Sequence, residues 1–345
     1  MANNKKSVML ALSGGVDSSV CTAILKEAGY EVRSVVMKMS EAHEGTVQAA
    51  KKAAEALDIP ITVLDLQEEF KNLVINPFMS DYQNARTPNP CIICNPLIKF
   101  KYLKEAADRE GCEFIATGHY AKIENQNGRY FIKKAASAAR DQSYMLYRLP
   151  QDILSRLILP LSEFSKDEIR AKAKELGLFC ADAPDSQENC FIPDNDYAKY
   201  IIEHGGVNKD GFFVSPDGKK IGAHKGIIHY TVGQRKGLGV ALGQPVFVNK
   251  IDAQSGDVYL TFAGGQMRDK IEVEGCVFQL KESLSKPIRA DVKIRSAARA
   301  QAALVTPLKN GNVLVEFEES VSAPASGQSA VFYVDDCVLG GGFIV

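Results

Sequence analysis

A run of small, hydroxylated and acidic residues, Ser13-Gly14-Gly15-Val16-Asp17-Ser18-Ser19, lies between an apolar segment and a segment with helical periodicity. Backbone N–H groups at two glycines can approach a phosphate closely, and the N-terminus of the following helix adds partial positive charge. Asp17 is poorly suited to touch a phosphate directly, which indicates a Mg2+ ion between them. The run predicts a phosphate-binding loop that is not a Walker A loop, because no Gly-Lys-Ser/Thr follows. A helix N-cap rich in small residues is the alternative.

Three cysteines lie in segments whose composition suits thiol chemistry. Cys91 and Cys94 form a Cys-x-x-Cys pair in a proline-rich loop before a predicted helix, and Cys190 lies in a separate loop. A helix N-terminus and the nearby Lys99 would lower the pKa of a thiol and favour the thiolate. The other five cysteines lie in apolar or strand-like runs and are predicted to be small core residues. These are Cys21, Cys112, Cys180, Cys276 and Cys337.

Composition restricts the class of protein. The 345 residues are 46% hydrophobic and 24% charged, no run approaches the length of a membrane span, and the N-terminus lacks a signal-peptide pattern. These features predict a cytoplasmic protein without a membrane span. Its eight cysteines are then thiols, metal ligands or catalysts rather than a disulfide framework.

Positive charge is concentrated in two segments, although the net charge of −1 argues against a uniformly basic nucleic-acid binder. Residues 199–250 hold eight Lys or Arg against three Asp or Glu, and residues 281–299 hold six against two. Either segment could form a patch that faces phosphates. Both could instead be ordinary solvated faces. The candidate residues are Arg235, Lys236, Arg289, Lys293 and Arg295.

The elements that must position these residues change in character along the chain. In the first part, short apolar strands such as 7–12 and 61–66 alternate with helices such as 18–28 and 97–109. This alternation predicts an α/β fold with a doubly wound parallel sheet, in which ligands bind beyond the carboxyl ends of the strands. After Gly206 the helical periodicity fades and short β-rich runs follow.

The change in character predicts three domains. A catalytic domain spans residues 1–205, a small central domain spans residues 206–266, and a C-terminal domain spans residues 267–345. The β-branched runs of the last domain indicate a small β-barrel. The expected fold is therefore an N-terminal α/β unit followed by two small β-rich domains.

The run 13–19 resembles the pyrophosphate loop of the N-type ATP pyrophosphatases, the PP-loop enzymes, which cleave ATP to AMP and pyrophosphate. The whole chain resembles the bacterial tRNA 2-thiouridylase family, because further strings match along nearly its entire length. These strings are Met37-Lys38, Arg86-Thr-Pro-Asn-Pro90, Ile98-Lys-Phe100, Thr117-Gly-His-Tyr120, Asp141-Gln-Ser-Tyr144, Cys190-Phe-Ile192, Thr231-Val-Gly-Gln-Arg-Lys-Gly-Leu-Gly239, Gly327-Gln-Ser-Ala-Val-Phe-Tyr333 and Leu339-Gly-Gly-Gly342.

The resemblance implies a two-stage reaction on tRNA. ATP, with Mg2+, adenylates O2 of the wobble uridine, and sulfur then attacks C2 so that AMP departs. The base must leave its stack to enter the site. The implied partners are the tRNAs for Lys, Glu and Gln, together with a cysteine desulfurase, a sulfur-relay protein or free sulfide as the sulfur source.

The resemblance also implies roles for individual residues of the nucleotide and sulfur sites. Cys94 matches the catalytic cysteine, and Cys190 matches the cysteine that carries a persulfide. Asp17 and its loop match the pyrophosphate site. Met37 matches a residue beside the adenine, and Gly118 matches a nucleotide contact.

A second group of residues is expected to contact tRNA. Asp141, Gln142 and Ser143 match the segment that faces the target base, and Lys99 is expected to contact tRNA as well. The basic residues of the two positive segments are further candidates. For His119, the alternatives are a general base and a structural or nucleotide-edge role.

The chain departs from the family pattern around its cysteines. Cys91 stands where the family usually has an aspartate, and the usual Asp-Ser-Thr-Gly-x-Cys is replaced by Asp185-Ser-Gln-Glu-Asn-Cys190. Cys91, Cys94 and Cys190 form a Cys-x-x-Cys pair with a distant third cysteine, the ligand set of a [4Fe–4S] cluster with one open iron. In the alternative, Cys91 is a bystander, and Cys94 and Cys190 work by persulfide and disulfide exchange.

Two other functions are compatible with parts of the sequence. Another PP-loop enzyme acting on RNA or a small molecule would share the loop at 13–19 but would not require three loop cysteines. A cluster-dependent protein that removes sulfur from tRNA would share the cysteines but would not require the ATP loop.

Overall fold

The computed structural model describes residues 6–183 and 189–345, and its first part is built on a five-stranded sheet. The strands and helices of this part are, in chain order, β1 (Ser7–Ala11), α1 (Val16–Glu27), β2 (Glu31–Lys38), α2 (Glu44–Ala56), β3 (Ile61–Asp65), α3 (Gln67–Phe70), α4 (Asn76–Gln83), α5 (Pro90–Cys94), α6 (Phe100–Arg109), β4 (Phe114–Ala116), β5 (Lys122–Gln126), β6 (Arg129–Lys133), α7 (Gln151–Leu154), β7 (Leu157–Ile158), α8 (Lys166–Glu175) and α9 (Tyr197–Glu203). The order β3-β2-β1-β4-β7, with parallel neighbours throughout, confirms the predicted sheet.

The centre of this sheet contains its topological switch point. β1 lies between β2 and β4, so the chain first extends the sheet to one side of β1 and later adds β4 on the other side. The loops that follow β1 and β4 therefore meet at the carboxyl edge, where ligands bind in such sheets. These loops carry the run 13–19 and the turn 117–120.

Alternate side chains of β1 pack on the two faces of the sheet. Met9 belongs to a cluster with Phe100 of α6, whereas Val8 and Leu10 belong to a cluster with Val20 of α1. Neighbouring strand residues point to opposite faces, so a strand covered on both sides must be apolar throughout. This requirement explains the unbroken apolar run before the phosphate-binding loop.

Two further sheets follow. The first contains β8 (Phe212–Val214), β9 (Lys220–Ala223), β10 (Val246–Ile251) and β11 (Val258–Phe262) in the order β10-β11-β8-β9. The last strands are β12 (Met267–Phe278), β13 (Ile288–Lys293), β14 (Gln301–Pro307), β15 (Val313–Ser322), β16 (Ser329–Val334) and β17 (Cys337–Ile344). β12 pairs with both β15 and β17, and this closes the six strands into the predicted β-barrel.

The β5–β6 hairpin extends the barrel sheet, although it belongs to the segment 1–205 that was predicted as a separate domain. β6 pairs with β17 through Lys133 and Cys337, so the hairpin continues the sheet beyond the barrel. A hairpin is marginally stable by itself and gains from a third strand. The catalytic unit and the barrel therefore share one sheet, which the change in sequence character near Gly206 does not reveal.

A buried glutamine joins the barrel to this hairpin. Gln279, directly after β12, is 2% exposed. Its side-chain oxygen accepts a hydrogen bond from the Ile132 N–H at 3.0 Å, and its amide nitrogen donates to the carbonyls of Leu146 at 2.9 Å and Tyr147 at 3.0 Å. Buried backbone groups need such partners, so one side chain satisfies three of them across the junction.

We expect Gln279→Ala to destabilise this junction. The free energy of unfolding, measured by urea denaturation, should fall by at least the ~1–3 kcal/mol that one unpaired buried polar group costs. Gln254→Ala, at an exposed turn position, is the matched control and should have no effect. Equal stability of the two variants would contradict the role assigned to Gln279.

Candidate active site

The conformation of the loop after β1 depends on a glycine and two serine hydroxyls. Gly14 has φ = +76°, and a Cβ atom there would overlap the backbone of Ala49, so only glycine fits. The hydroxyls of Ser13 and Ser18 lie 3.1 Å apart and hold the loop closed. Gly15 caps α1 without a side-chain hydrogen bond, which leaves the first N–H groups of the helix available to an anion.

Two residues expected near a nucleotide are buried beside this loop. Ser19 is fully buried, and its hydroxyl has no hydrogen-bond partner in the part of the chain that the structure describes. Met37, 8% exposed, lies near the carboxyl end of β2. A buried hydroxyl without a partner is unfavourable, so Ser19 can accommodate a polar group of a ligand.

Asp17 is bound by two side chains whose contact with it the sequence did not predict. Lys166 Nζ lies 2.8 and 2.7 Å from the two carboxylate oxygens, and the Tyr120 hydroxyl donates a hydrogen bond to Oδ1 at 2.6 Å. Burial and the neighbouring Asp17 raise the pKa of Tyr120, so its hydroxyl remains a donor. A capping box between Ser165 and Glu168 fixes the start of α8 and thereby places Lys166.

The turn after β4 lies between the loop 13–19, which we call the nucleotide loop, and the segment that carries Cys91, Cys94 and Lys99. A Cβ atom on Gly118 would lie 3.2 Å from the Ser18 nitrogen, so the turn packs directly on the loop. His119 Nδ1 lies 2.8 Å from the Thr117 hydroxyl, and its ring centre lies 5.7 Å from that of Phe100 in α6. One short turn therefore contacts both regions.

His119 is half-buried in an environment that keeps its imidazole neutral. Desolvation, with the positive charge of Lys99 nearby, lowers the pKa of His119 to about 3. The same causes lower the pKa of His43, which the sequence did not single out. A group with so low a pKa is a poor general base at neutral pH. The geometry therefore favours a structural or nucleotide-edge role for His119.

The Cys-x-x-Cys pair begins a helix instead of preceding one. Asn89 caps α5 by accepting a hydrogen bond from the Cys91 N–H at 3.2 Å, and Pro90 occupies the first turn, where its missing N–H is not needed. A π-helical turn over Asn95–Lys99 then leads into α6 and accommodates Pro96. The sequence prediction of a loop was wrong, because both prolines lie where a helix tolerates them.

The three candidate cysteines lie around Lys99. Cys94 is 4% exposed, Cys91 is half-buried and Cys190 is exposed. Desolvation lowers the pKa of Lys99, but the surrounding thiols of Cys94, Cys91 and Cys190 raise it overall. Lys99, expected to contact tRNA, therefore has the thiols as its immediate electrostatic partners.

Burial dominates the ionisation of Cys94. Desolvation raises the pKa of Cys94 to about 12, and the opposing effect of Lys99 is smaller. For Cys94, the prediction that Lys99 and a helix N-terminus favour the thiolate was wrong, because the loss of hydration outweighs one nearby cation.

The three predicted metal ligands are neighbours, but within the described residues they are not arranged as a site for a single ion. Cys91 and Cys190 both affect the pKa of Cys94 electrostatically, so the three thiols are neighbours. Within residues 6–183 and 189–345, no three His, Cys, Asp or Glu side chains are arranged to hold a metal ion. Asp185 and the rest of the altered stretch before Asn189 lie outside the described residues.

The other five cysteines lie in the hydrophobic core or in strands of the barrel. Cys21, Cys112 and Cys180 are buried in the hydrophobic core, and Cys276 and Cys337 are half-buried in barrel strands. This distribution agrees with the expectation of small packing residues.

The segment expected to face the target base is built into the interior. Asp141 accepts hydrogen bonds from the N–H and the hydroxyl of Ser143, at 3.2 and 2.8 Å. Ser143 is fully buried, and its hydroxyl lies 3.1 Å from that of Tyr333 in the barrel. Gln142 accepts a hydrogen bond from the Tyr120 N–H at 2.9 Å. Ser143 therefore has no surface for RNA, and Gln142 supports the turn beside Asp17.

The two positive segments meet where the four-stranded sheet touches the barrel. A Cβ atom on Gly233 would lie 2.5 Å from Ala323 Cβ and 3.3 Å from a guanidinium nitrogen of Arg295. The Gly-rich turn that bears the exposed Arg235 and Lys236 therefore packs on the barrel beside Arg295.

β13 continues this positive surface toward the target-base segment. Arg289 and Lys293 lie on the same face of β13, together with Asp291, and Arg295 follows the end of the strand. Lys293 Nζ lies 5.9 Å from the centre of the Tyr144 ring and interacts with Asp141. We call the combined surface the basic strip. It consists of Arg235, Lys236, Arg289, Lys293 and Arg295.

Comparisons with known proteins identify the family. Residues 6–194 match the family described as tRNA methyl transferase HUP domain, residues 198–261 match its PRC-barrel domain, and residues 268–344 match the aminomethyltransferase beta-barrel domain. A protein named tRNA-specific 2-thiouridylase MnmA from Acetivibrio thermocellus is 43% identical over 99% of this chain and 99% of its own. The chain belongs to the tRNA-specific 2-thiouridylase family. This membership confirms the resemblance in the sequence strings.

Other relatives of this thiouridylase carry the same name. Those from Clostridium botulinum (strain Alaska E43) and Clostridium perfringens (strain ATCC 13124) are 43% and 44% identical, over 100% and 99% of this chain and 99% and 98% of their own. A solved 4-thiouridine synthetase, described in complex with RNA and bound ATP, aligns with a TM-score of 0.38 at 21% identity, over 57% of this chain and 50% of its own. No helix within the described ranges combines the length and apolar character needed to cross a membrane.

Proposed function

We propose that this thiouridylase uses ATP to replace O2 of the wobble uridine of tRNA with sulfur. The observation that carries the proposal is the turn Thr117–Tyr120, which contacts both halves of the site. Gly118 packs on the nucleotide loop and Tyr120 binds Asp17, whereas His119 lies beside Lys99, the neighbour of the thiols. A base placed against this turn would reach both the nucleotide and the sulfur.

The nucleotide half would bind ATP mainly through backbone groups. The N–H groups of Gly14 and Gly15 and the open N-terminus of α1 would hold the phosphates, with Met37 beside the adenine and Gly118 against the nucleotide. The carboxylate oxygens of Asp17 and the unpaired hydroxyl of Ser19 are oxygen ligands of the kind that Mg2+ prefers. When bound, Mg2+ would neutralise the charge of the departing pyrophosphate.

The first step activates the uridine. Its O2 attacks the α-phosphorus of ATP, the bond to pyrophosphate breaks, and O2 becomes bonded to AMP. Lys166, whose ammonium pairs with Asp17, supplies positive charge where the pyrophosphate separates. Gln142 and Ser143 contribute by fixing the turn and Asp141, which lie on the side expected for the base.

In one route for the second step, a persulfide on Cys190 supplies the sulfur. Its terminal sulfur attacks C2 and AMP leaves with O2. Cys94 then attacks the Cys190 sulfur, the S–S bond breaks toward the base, and 2-thiouridine is released with a Cys94–Cys190 disulfide that an external thiol reduces. The exposure of Cys190, which a sulfur donor can reach, and the burial of Cys94 beside it support this route.

In the other route, Cys91, Cys94 and Cys190 would hold a [4Fe–4S] cluster, and the chemistry that it would supply is sulfide for the attack on C2. The proximity of the three thiols to Lys99 supports this ligand set. In either route, the charge of Lys99 stabilises the thiolates that form.

The partners follow from the two routes. The proposed substrates are the tRNAs for Lys, Glu and Gln. The persulfide route requires a cysteine desulfurase or a sulfur-relay protein, whereas the cluster route can use free sulfide. The proposed location is the cytoplasm.

We expect Lys166→Met to abolish activation of the uridine. The variant leaves the Asp17 carboxylate without its cation, and the rate of tRNA-dependent pyrophosphate exchange into ATP should fall by about 10²–10³. Lys172→Met is the matched control, because Lys172 joins the same two helices by pairing with Glu27 at the surface. Exchange at the wild-type rate in Lys166→Met would contradict the role of this pair.

The cysteine variants distinguish the two sulfur routes. Cys94→Ala and Cys190→Ala should form no 2-thiouridine by either route. Cys91→Ala should lose iron and activity together if a cluster operates, and reconstituted wild-type protein should then thiolate tRNA from sulfide without a persulfide donor. An active, iron-free Cys91→Ala protein that depends on a cysteine desulfurase would exclude the cluster route and leave the thiouridylase function intact.

We expect the basic strip to bind tRNA phosphates. Charge reversal of Arg235, Lys236 and Lys293 should weaken binding and reduce the slope of log K against log salt by about 0.9 for each duplex phosphate that the variant no longer neutralises. Lys174→Glu, at an exposed position of α8, is the control. Unchanged affinity and slope in the reversed variant would show that tRNA binds elsewhere.

A further inference from the structure

We propose that the barrel loop, defined as residues 326–329, is a positioning element for the sulfur-transfer step. It fixes the segment that carries Cys91 and Cys94 against the segment beside the target base. The proposal rests on the proposed catalytic role of Cys94. It gives the C-terminal barrel a part in the chemistry, in addition to the RNA contacts proposed for its surface.

The barrel loop is hydrogen-bonded to the segment that precedes α5, the cysteine helix, which carries Cys91 and Cys94. The Thr87 N–H donates to the Ser326 carbonyl at 2.8 Å, and the Gln328 side-chain amide donates to the Thr87 carbonyl at 2.8 Å. Both backbone polar groups of Thr87 are therefore bonded to the barrel, a few residues before Cys91. These bonds fix the start of α5, because only Pro88 and Asn89 separate Thr87 from the helix and Pro88 restricts the chain further.

Close packing and an ion pair strengthen the same contact. Gly327 has φ = +88°, and a Cβ atom there would lie 3.1 Å from both Arg86 Cβ and the Thr87 nitrogen. The Arg86 guanidinium also pairs with Glu274 of β12 at 3.0 Å. Only glycine allows this approach, so the barrel and the chain before α5 pack backbone against backbone.

The barrel loop also holds the segment beside the target base. The Tyr144 hydroxyl donates to the Ser329 carbonyl at 2.8 Å, and the Tyr147 hydroxyl lies 3.0 Å from the Ser329 hydroxyl; all three residues are buried. Asn95, which follows the catalytic cysteine, donates to the Met145 carbonyl at 2.9 Å. The barrel loop, the cysteine helix and the base segment thus form a closed network.

The bonds of this network to Thr87 hold the segment that carries Cys91 and Cys94, and these cysteines act only in the second step of the proposed reaction. Adenylation requires the nucleotide loop and Asp17, whose partners are Lys166 and Tyr120. Sulfur transfer requires Cys94 to stand at a fixed position relative to C2 of the base. A shift of a reacting group by about 1 Å can lower a rate by about 10²-fold. Loosening the barrel loop should therefore slow sulfur transfer and spare adenylation.

Variants of Gln328 test the proposal. Gln328→Ala removes the bond to Thr87, and Gln328→Glu keeps the shape of the side chain but cannot donate to a carbonyl. We expect single-turnover thiolation of tRNA to fall by about 10- to 100-fold in both variants. Pyrophosphate exchange and the Kd for tRNA should stay near wild-type values, and amide hydrogens of residues 86–94 should exchange faster.

Two further variants make the test decisive. Glu274→Gln weakens the ion pair with Arg86 and should give the same pattern, so the proposal stays testable if Gln328 variants fold poorly. Gln301→Ala, on β14, should leave all four measurements unchanged. Single-turnover thiolation at the wild-type rate would overturn the proposal. A loss of pyrophosphate exchange as large as the loss of thiolation would also overturn it. So would a weakening of tRNA binding large enough to account for the slower thiolation. Normal thiolation by Cys94→Ala would instead overturn the proposed function.

Discussion

Asp17 lies partly buried at the switch point of the parallel sheet, where Lys166 and the Tyr120 hydroxyl compensate its negative charge. Asp17 lies in the first turn of α1, Lys166 opens α8, and Tyr120 ends the turn after β4. Three elements therefore converge on one carboxyl group. The Asp17 carboxylate thus links the loop 13–19, the turn Thr117–Tyr120 and α8 through its ion pair and its hydrogen bond.

The two halves of the site have complementary chemical properties. A buried Cys94 with a pKa of about 12 is mostly protonated at neutral pH, and a thiol is a weak nucleophile. In the proposed reaction, sulfur transfer gains from a strongly activated carbon, and an adenylated O2 would provide that activation by being a good leaving group. The ammonium of Lys99 would then stabilise the negative charge that develops on sulfur. The burial of Cys94 and the use of ATP are thus compatible with one proposed reaction.

Local patterns predicted much of this molecule, and long-range pairings account for most of what they missed. The glycines of the nucleotide loop, the apolar run of β1 and the β-branched barrel strands each follow from neighbouring residues. The pairing of Lys166 with Asp17 joins residues far apart in the chain and leaves no local pattern. The same is true of Lys133 beside Cys337, which places β6 in the barrel sheet. The burial of Ser143 was missed because its partner Tyr333 lies in another domain.

The shared sheet also orders events during synthesis of the chain. β6 is made early, whereas its pairing strand β17 is made after the other strands of the barrel. The N-terminal sheet can form while translation continues, since domains fold as units from the N-terminus. The hairpin gains its third strand, and Thr87 its barrel partners, only when residues 326–344 have been made. A nascent polypeptide that lacks these residues therefore forms its phosphate-binding loop before the surroundings of the proposed sulfur site are complete.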